Sequence, residues 1–341
     1  MNFTSYKKNL DLLNFLNIKK KFKPIALLPS DSLHHLDHLA PLCHFLNCPL
    51  LTQSREIYNE GLKHYPEVEF HFNEFDLKKI ASEFNLILVS SKFAKITCET
   101  FYKASEITHM RFCFCPHGLS DKEDKLSYES GNQDISLFYG QKQIDAYEAK
   151  ENFFITGNYR KAYFEKFKNY QNEKASKILC FEKKQKTIFF APSWDQQQNK
   201  SSFKLWKDLF FKLPSTYNLI IKFHPLILNS HAATIFEAIA HNDVKKNVRI
   251  ISDYCPIYPI LDKTDIYLGD YSSIGYDFLS YNRPLFFLAD TFTDLQRAGT
   301  KVQDIDDFFQ KIEIKNESLK EIRNSIYQYS FLPNKIVHDE I

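Results

Sequence analysis

The sequence predicts an α/β protein of two domains, each built on a parallel sheet, with a cleft between them. Short β-branched or aromatic runs alternate with helical patterns along most of the chain, which is the signature of βαβ units. The 341 residues exceed what one core usually organises, so two domains of about 150 residues each are the default. Three strand-like segments also run straight into polar clusters: Arg111 to Cys115 into Pro116-His117-Gly118, Asn218 to Phe223 into His224-Pro225, and Asp265 to Gly269 into Asp270-Tyr271-Ser272-Ser273. In an open parallel sheet, ligands bind beyond the carboxyl ends of the strands, so such clusters are candidates for chemistry.

In the first half the expected strands are Ile25 to Leu28, Pro49 to Thr52, Val68 to Phe72, Leu86 to Val89, Arg111 to Cys115, Ile135 to Tyr139 and Phe153 to Thr156. In the second half they are Thr187 to Ala191, Asn218 to Phe223, Val248 to Ile251, Asp265 to Gly269 and Pro284 to Leu288. Leu77 to Phe84, Phe203 to Phe211 and Ala232 to His241 carry apolar residues three and four apart and read as helices. The polar, lysine-rich stretch from Lys166 to Lys186 is the best boundary. It divides the chain into residues 1–175, residues 176–320 and a closing helix and tail, 321–341, expected to cross back to the first domain.

Composition excludes several classes. A net charge of +2 does not suit a protein that holds nucleic acid by bulk electrostatics. No apolar run approaches the roughly 18 residues needed to cross a bilayer, and no secretory signal is visible in Met1 to Lys20. The seven cysteines are odd in number and lack a C-x-x-C pair, so neither a disulfide framework nor a thiolate metal knuckle is indicated. The expected compartment is the reducing cytoplasm. Lys19, Lys20, Lys21 and Lys23 follow an amphipathic run from Leu10 to Leu16, which fits an anionic inner-leaflet surface or, more simply, a helix packed on the first sheet.

Ser272 and Ser273 precede a buried-type helix beginning at Ile274; they fit plain capping or, with Gly275 in the first turn, a phosphate cradle on free backbone N–H groups. Asp270 leads this block as a further donor-side contact, and Asp277 either puts a carboxylate where a hydroxyl of a sugar or polyol could be held or stands as a surface charge on the helix. His224 ends a strand, and Pro225 restricts it to an extended backbone. Its imidazole there either contacts a phosphate oxygen or caps a turn. His117, beside Gly118, has the reference pKa near neutrality that suits a general base. Gly157, Asn158 and Arg160 end one strand, with Arg160 able to grip a phosphate bidentately, while Ser193 and Trp194 end another, where either could line a nucleotide pocket. His34, His35 and His38 follow the first strand in a loop from Ser30 to Leu36, with a helix beginning near Asp37, because Pro41 fits a first helical turn. Zinc on His34 and His38 is set aside because no cysteine or further acidic ligand has matching spacing. Contact with an acceptor substrate is a better functional reading of this cluster than zinc, and simple surface exposure is the default.

Together these clusters resemble the CDP-glycerol glycerophosphotransferase family, which includes teichoic-acid primases and polymerases. The resemblance rests on His117-Gly118, Gly157-Asn158-Tyr159-Arg160, Ala191-Pro192-Ser193-Trp194, His224-Pro225, and the block from Asp265 through Asp270-Tyr271-Ser272-Ser273 to Asp277 and Arg283-Pro284. It implies a GT-B arrangement of two Rossmann-like domains and transfer of glycerol phosphate from a CDP-linked donor to a hydroxyl of a membrane-anchored acceptor, releasing CMP. Under it, His117 is the acceptor base, and His224, Ser272 and Ser273 hold the diphosphate. Tyr159 departs from the family pattern, in which proline is common. No metal ligand set stands out, and a divalent cation is left optional. Two other readings stand beside it: a GT-B glycosyltransferase acting on a nucleotide sugar, and a nucleotide-binding protein without turnover.

Overall fold

The computed structural model describes residues 12–29, 33–90, 92–119, 121, 134–147, 152–194, 201–242, 245–288, 293–314 and 317–332. Leu10, the first residue of the amphipathic run, and the tail beyond residue 332 lie outside them. The chain forms two compact units: Met1–Leu119 with Glu123–Phe167 and Gln328–Ile341, and Ser120–Lys122 with Lys168–Tyr327.

The first unit holds seven parallel strands: β1 (Pro24–Leu28), β2 (Leu50–Thr52), β3 (Phe70–Phe72), β4 (Leu86–Val89), β5 (Arg111–Phe114), β6 (Ile135–Phe138) and β7 (Phe153–Ile155). Their order is β3-β2-β1-β4-β5-β6-β7, so the winding reverses between β1 and β4, which pair in register Ala26 to Leu88. β1 and β4 are buried along their whole length because helices cover both faces, which is why they read as continuous apolar runs. Ile25, Leu27, Ile87, Val89 and Phe112 pack on one side with Cys98 and Tyr102. The helix Leu12–Lys21 buries Phe15 and Ile18, with Phe15 against Phe45 and Tyr159, and leaves Leu16 and Lys19 to Lys21 exposed. Its apolar face is thus used within the unit.

The second unit repeats the plan with β8 (Lys186–Ala191), β9 (Tyr217–Lys222), β10 (Val248–Ile251), β11 (Ile266–Gly269), β12 (Leu285–Phe287) and β13 (Thr300–Lys301), ordered β10-β9-β8-β11-β12-β13 and parallel throughout. Here the winding reverses between β8 and β11. Alternate residues separate its two faces: Ile188, Phe190, Leu219, Ile221 and Leu268 pack with Leu209 and Phe308, whereas Phe189 and Tyr267 meet on the other side beside Phe278. Two Rossmann-type parallel sheets in one chain define the GT-B class of architecture. Among the described residues, no helix is long and apolar enough to cross a membrane.

Candidate functional site

In the second unit, β8 and β11 end side by side, Ala191 opposite Gly269, so the segments that follow them leave the sheet together at its switch point. Asp270 ties these segments. Its carboxylate is fully buried and accepts the Ser193 N–H at 3.1 and 3.0 Å, and the Ser202 N–H and hydroxyl at 2.9 Å each. Burial raises its pKa, and the Ser202 and Ser193 donors pull it back down. Expected as a contact to the nucleotide donor, Asp270 instead holds the framework.

Ser272 caps the helix Ser273–Phe278, its Oγ accepting from the Ile274 N–H at 3.5 Å, and Ser273 opens the first turn. Both are half-buried. Asp277 is also turned inward, accepting the Tyr258 hydroxyl at 3.0 Å. That contact replaces the free hydroxyl acceptor or surface charge expected of it.

His224 adopts the extended backbone that Pro225 demands and caps the helix Pro225–Ser230. Its Nδ1 accepts the Leu226 N–H at 3.2 Å, so a neutral ring carries its proton on Nε2. Trp194 stacks on the ring, centroids 6.4 Å apart and planes 21° apart. Capping through Nδ1 and donation from Nε2 are therefore compatible at this residue.

In the first unit, His34 and His35 end a 3₁₀ turn, Leu33–His35, directly after β1, and the helix Leu36–Leu46 follows. Ser90 follows β4, and His117 follows β5. These positions surround the switch point of this sheet. The Ser90 carbonyl lies 3.2 Å from His117 Nδ1. A carbonyl can only accept, so this nitrogen carries the proton and Nε2 is left as the basic atom. The Ser90 hydroxyl engages His35 Nδ1 at 2.9 Å. His35 stacks on His117 with centroids 4.3 Å apart, and His34 meets His35 edge-on at 4.2 Å. His34 and His117 are exposed, but His35 and His38 are buried, against the surface exposure set beside substrate contact for this cluster. Burial, helped by the neighbouring His117 and His34, lowers the His35 pKa to about 2, and burial with Arg160 nearby keeps His38 well below its ordinary value. Gly118 has φ 109°, a conformation that side chains disfavour, which explains glycine beside His117.

Beneath this cluster lies a buried polar network. Pro41 falls inside the helix Leu36–Leu46, not in its first turn, and its missing N–H would have bonded the Asp37 carbonyl. Arg160 Nε fills that gap at 3.0 Å, while its terminal nitrogen pairs with the Asp37 carboxylate, which also accepts the Tyr65 hydroxyl at 2.8 Å. Arg160 is 4% exposed, so the phosphate grip expected of it gives way to an internal ion pair. Asn158 caps the helix Tyr159–Lys166, and Gly157 before it takes φ 66°. Tyr159, at the first helical position where proline is also welcome, stacks on Tyr139 at 5.1 Å, and the Tyr139 hydroxyl reaches His38 Nδ1 at 2.9 Å. Ser90 and Tyr139 carry no sequence motif and enter only through tertiary contact.

The segment from residue 127 to 323 matches the family model for CDP-glycerol:poly(glycerophosphate) glycerophosphotransferases, and the chain belongs to this family. The teichoic acid poly(glycerol phosphate) polymerase of Bacillus spizizenii is 30% identical over 145 residues, which cover 42% of this chain and 36% of that protein. The matched region thus spans about a third of that relative's length. Among solved structures, the wall teichoic acid polymerase TagF superposes with a TM-score of 0.63 at 13% identity, over 90% of this chain and 84% of that one. S. aureus MnaA, solved with UDP, superposes with a TM-score of 0.58 at 13% identity, over 91% and 92%. These two likenesses are of fold.

Proposed function

We propose that the chain transfers glycerol phosphate, or a related polyol phosphate, from a CDP-linked donor to a hydroxyl of a cell-envelope glycan or lipid-linked acceptor, releasing CMP. Membership of the family supports this reading, and the observation that carries its mechanism is that Ser90 leaves Nε2 of His117 as a proton acceptor. The acceptor hydroxyl gives its proton to that atom and attacks the distal phosphorus. The new O–P bond forms as the P–O bond to CMP breaks. His224, with its proton on Nε2, donates to a phosphate oxygen as charge builds during the displacement. Ser272, Ser273, Ser193, Trp194 and Pro225 are assigned to the nucleotide donor. Asp270, Asp277 and Arg160, with Gly157 and Asn158, support the loops from behind. Acceptor contact falls to the exposed His34 and to Gly118, with His35 and His38 behind them. We place the reaction in the cytoplasm, with the exposed Lys19, Lys20 and Lys21 facing an anionic inner-leaflet surface.

The test is a screen with CDP-glycerol and nucleotide sugars, following the released nucleotide and the mass of the product. CMP release with gain of glycerol phosphate on the acceptor supports the reading. Release of a nucleoside diphosphate with sugar transfer replaces it by the glycosyltransferase alternative. Saturable binding of CDP-glycerol, seen as a thermal shift, without turnover on any envelope acceptor would favour a binding protein.

A further inference from the structure

Among the described residues, His34, His35 and His117 each offer a ring nitrogen, and these three atoms lie within 4.8 Å of one another. We propose that they form a binding site for a divalent transition metal.

The chemistry of the set selects the ion. Three neutral imidazoles favour zinc, cobalt, nickel or copper over magnesium or calcium, which prefer oxygen. Three protein ligands with a fourth position open to water is the arrangement of reactive zinc sites, whereas structural sites are closed by four.

Orientation supports the same assignment. Metal-bound histidines commonly give their second ring nitrogen to a carbonyl, carboxylate or water, which fixes the ring and its tautomer. Ser90 supplies such partners for two rings: its carbonyl holds Nδ1 of His117 and its hydroxyl holds Nδ1 of His35. Nε2 is the ligating atom left on each. Tetrahedral coordination with bonds of about 2.0–2.1 Å places nitrogens roughly 3.4 Å apart. Contraction onto the buried His35 falls to the exposed side chains of His34 and His117.

His117 Nε2 cannot hold a metal and take a proton at once. Metal loading therefore removes the base, a consequence that rests on the function proposed above; binding itself does not.

The test titrates Co2+ into the full chain, free of any polyhistidine tag, and reads visible ligand-field absorption. The expected result is one saturable equivalent with the intensity of low-coordinate cobalt, displaced by Zn2+ and indifferent to Mg2+. His34→Ala, at an exposed position, should weaken binding at least tenfold with an unchanged circular dichroism spectrum. Ser90→Ala should weaken it by about 10- to 100-fold through loss of outer support, and His71→Ala, at an exposed site on β3, should not. A flat titration, or a signal that survives His34→Ala intact, overturns the proposal. Because no turnover is read, failure here leaves the transferase reading to its own assay.

Discussion

Arg160 donates from Nε to the Asp37 carbonyl at 3.0 Å and pairs with the carboxylate of the same residue, closing the hydrogen-bond gap that Pro41 opens in the helix Leu36–Leu46. One side chain thereby joins that helix to the helix Tyr159–Lys166. Removing it takes the positive partner from a buried carboxylate and the donor from a carbonyl. Arg160→Ala should cost about 3–5 kcal/mol, read from urea unfolding. Arg160→Lys should recover little of that loss, because an ammonium cannot serve both oxygens in the guanidinium geometry. A variant of normal stability with weakened CDP-glycerol binding would instead restore a phosphate-gripping role.

His224 allows capping and chemistry to be separated. His224→Ala removes the acceptor for the Leu226 N–H, and loss of a good cap costs about 0.5–2 kcal/mol; turnover should also fall by orders of magnitude. His224→Asn keeps a side-chain acceptor at the cap and should restore stability without restoring turnover. Activity that returned together with stability would reduce His224 to a structural residue.

The His117 ring should affect rate alone. It is exposed, so His117→Ala should leave the melting temperature nearly unchanged while turnover falls at least a hundredfold, the usual worth of a positioned base. Near-normal turnover with CDP-glycerol would remove it from the mechanism.

Asp270 is the reverse case. Its carboxylate receives two backbone N–H groups and one hydroxyl in a fully buried setting. Asp270→Asn turns an amide NH2 toward some of these donors and should cost about 2–3 kcal/mol at pH 7, measured as a lower urea midpoint with unchanged slope.

Acid should destabilise the fold before ordinary carboxylates titrate. Burial lowers the pKa of His64 and of His44 to about 4, and keeps His38 lower than its ordinary value as well. The unfolded chain takes up these protons near pH 6.5 and the folded chain does not, so stability is complete above that pH and declines as pH falls toward 4. Each fully excluded proton contributes up to about 1.4 kcal/mol per pH unit. Melting temperatures at pH 7.5, 6 and 5 should fall progressively, and His64→Gln should flatten the trend. A level profile would contradict the burial of these rings.

The strands were legible because β-branched and aromatic runs of four to six residues, bounded by polar turns, have few alternative readings. Leu86–Val89 and Val248–Ile251 match the expected bounds, and the others differ at their ends by one or two residues, as where β5 stops at Phe114 before Cys115. β13 escaped because Thr300–Lys301 is too short to show a period. The histidines could be found as residue types at strand ends, and their surroundings could not. His117 reaches His35 only because β1, β4 and β5 lie side by side, and Ser90 is an unremarkable serine until β4 places it between them. Arg160 misled for the same reason: a guanidinium at the end of a Gly-Asn-Tyr-Arg segment after a strand suits a phosphate equally well, and its contact with the carbonyl left by Pro41 is visible only in three dimensions.

The clasp made by Asp270 relies largely on main-chain N–H groups at positions 193 and 202, and every amino acid except proline supplies one. Side chains in the segments it gathers can therefore be exchanged during evolution without collapsing their path. A lineage built on this frame is free to change the side chains around those anchors while the anchors themselves stay the same.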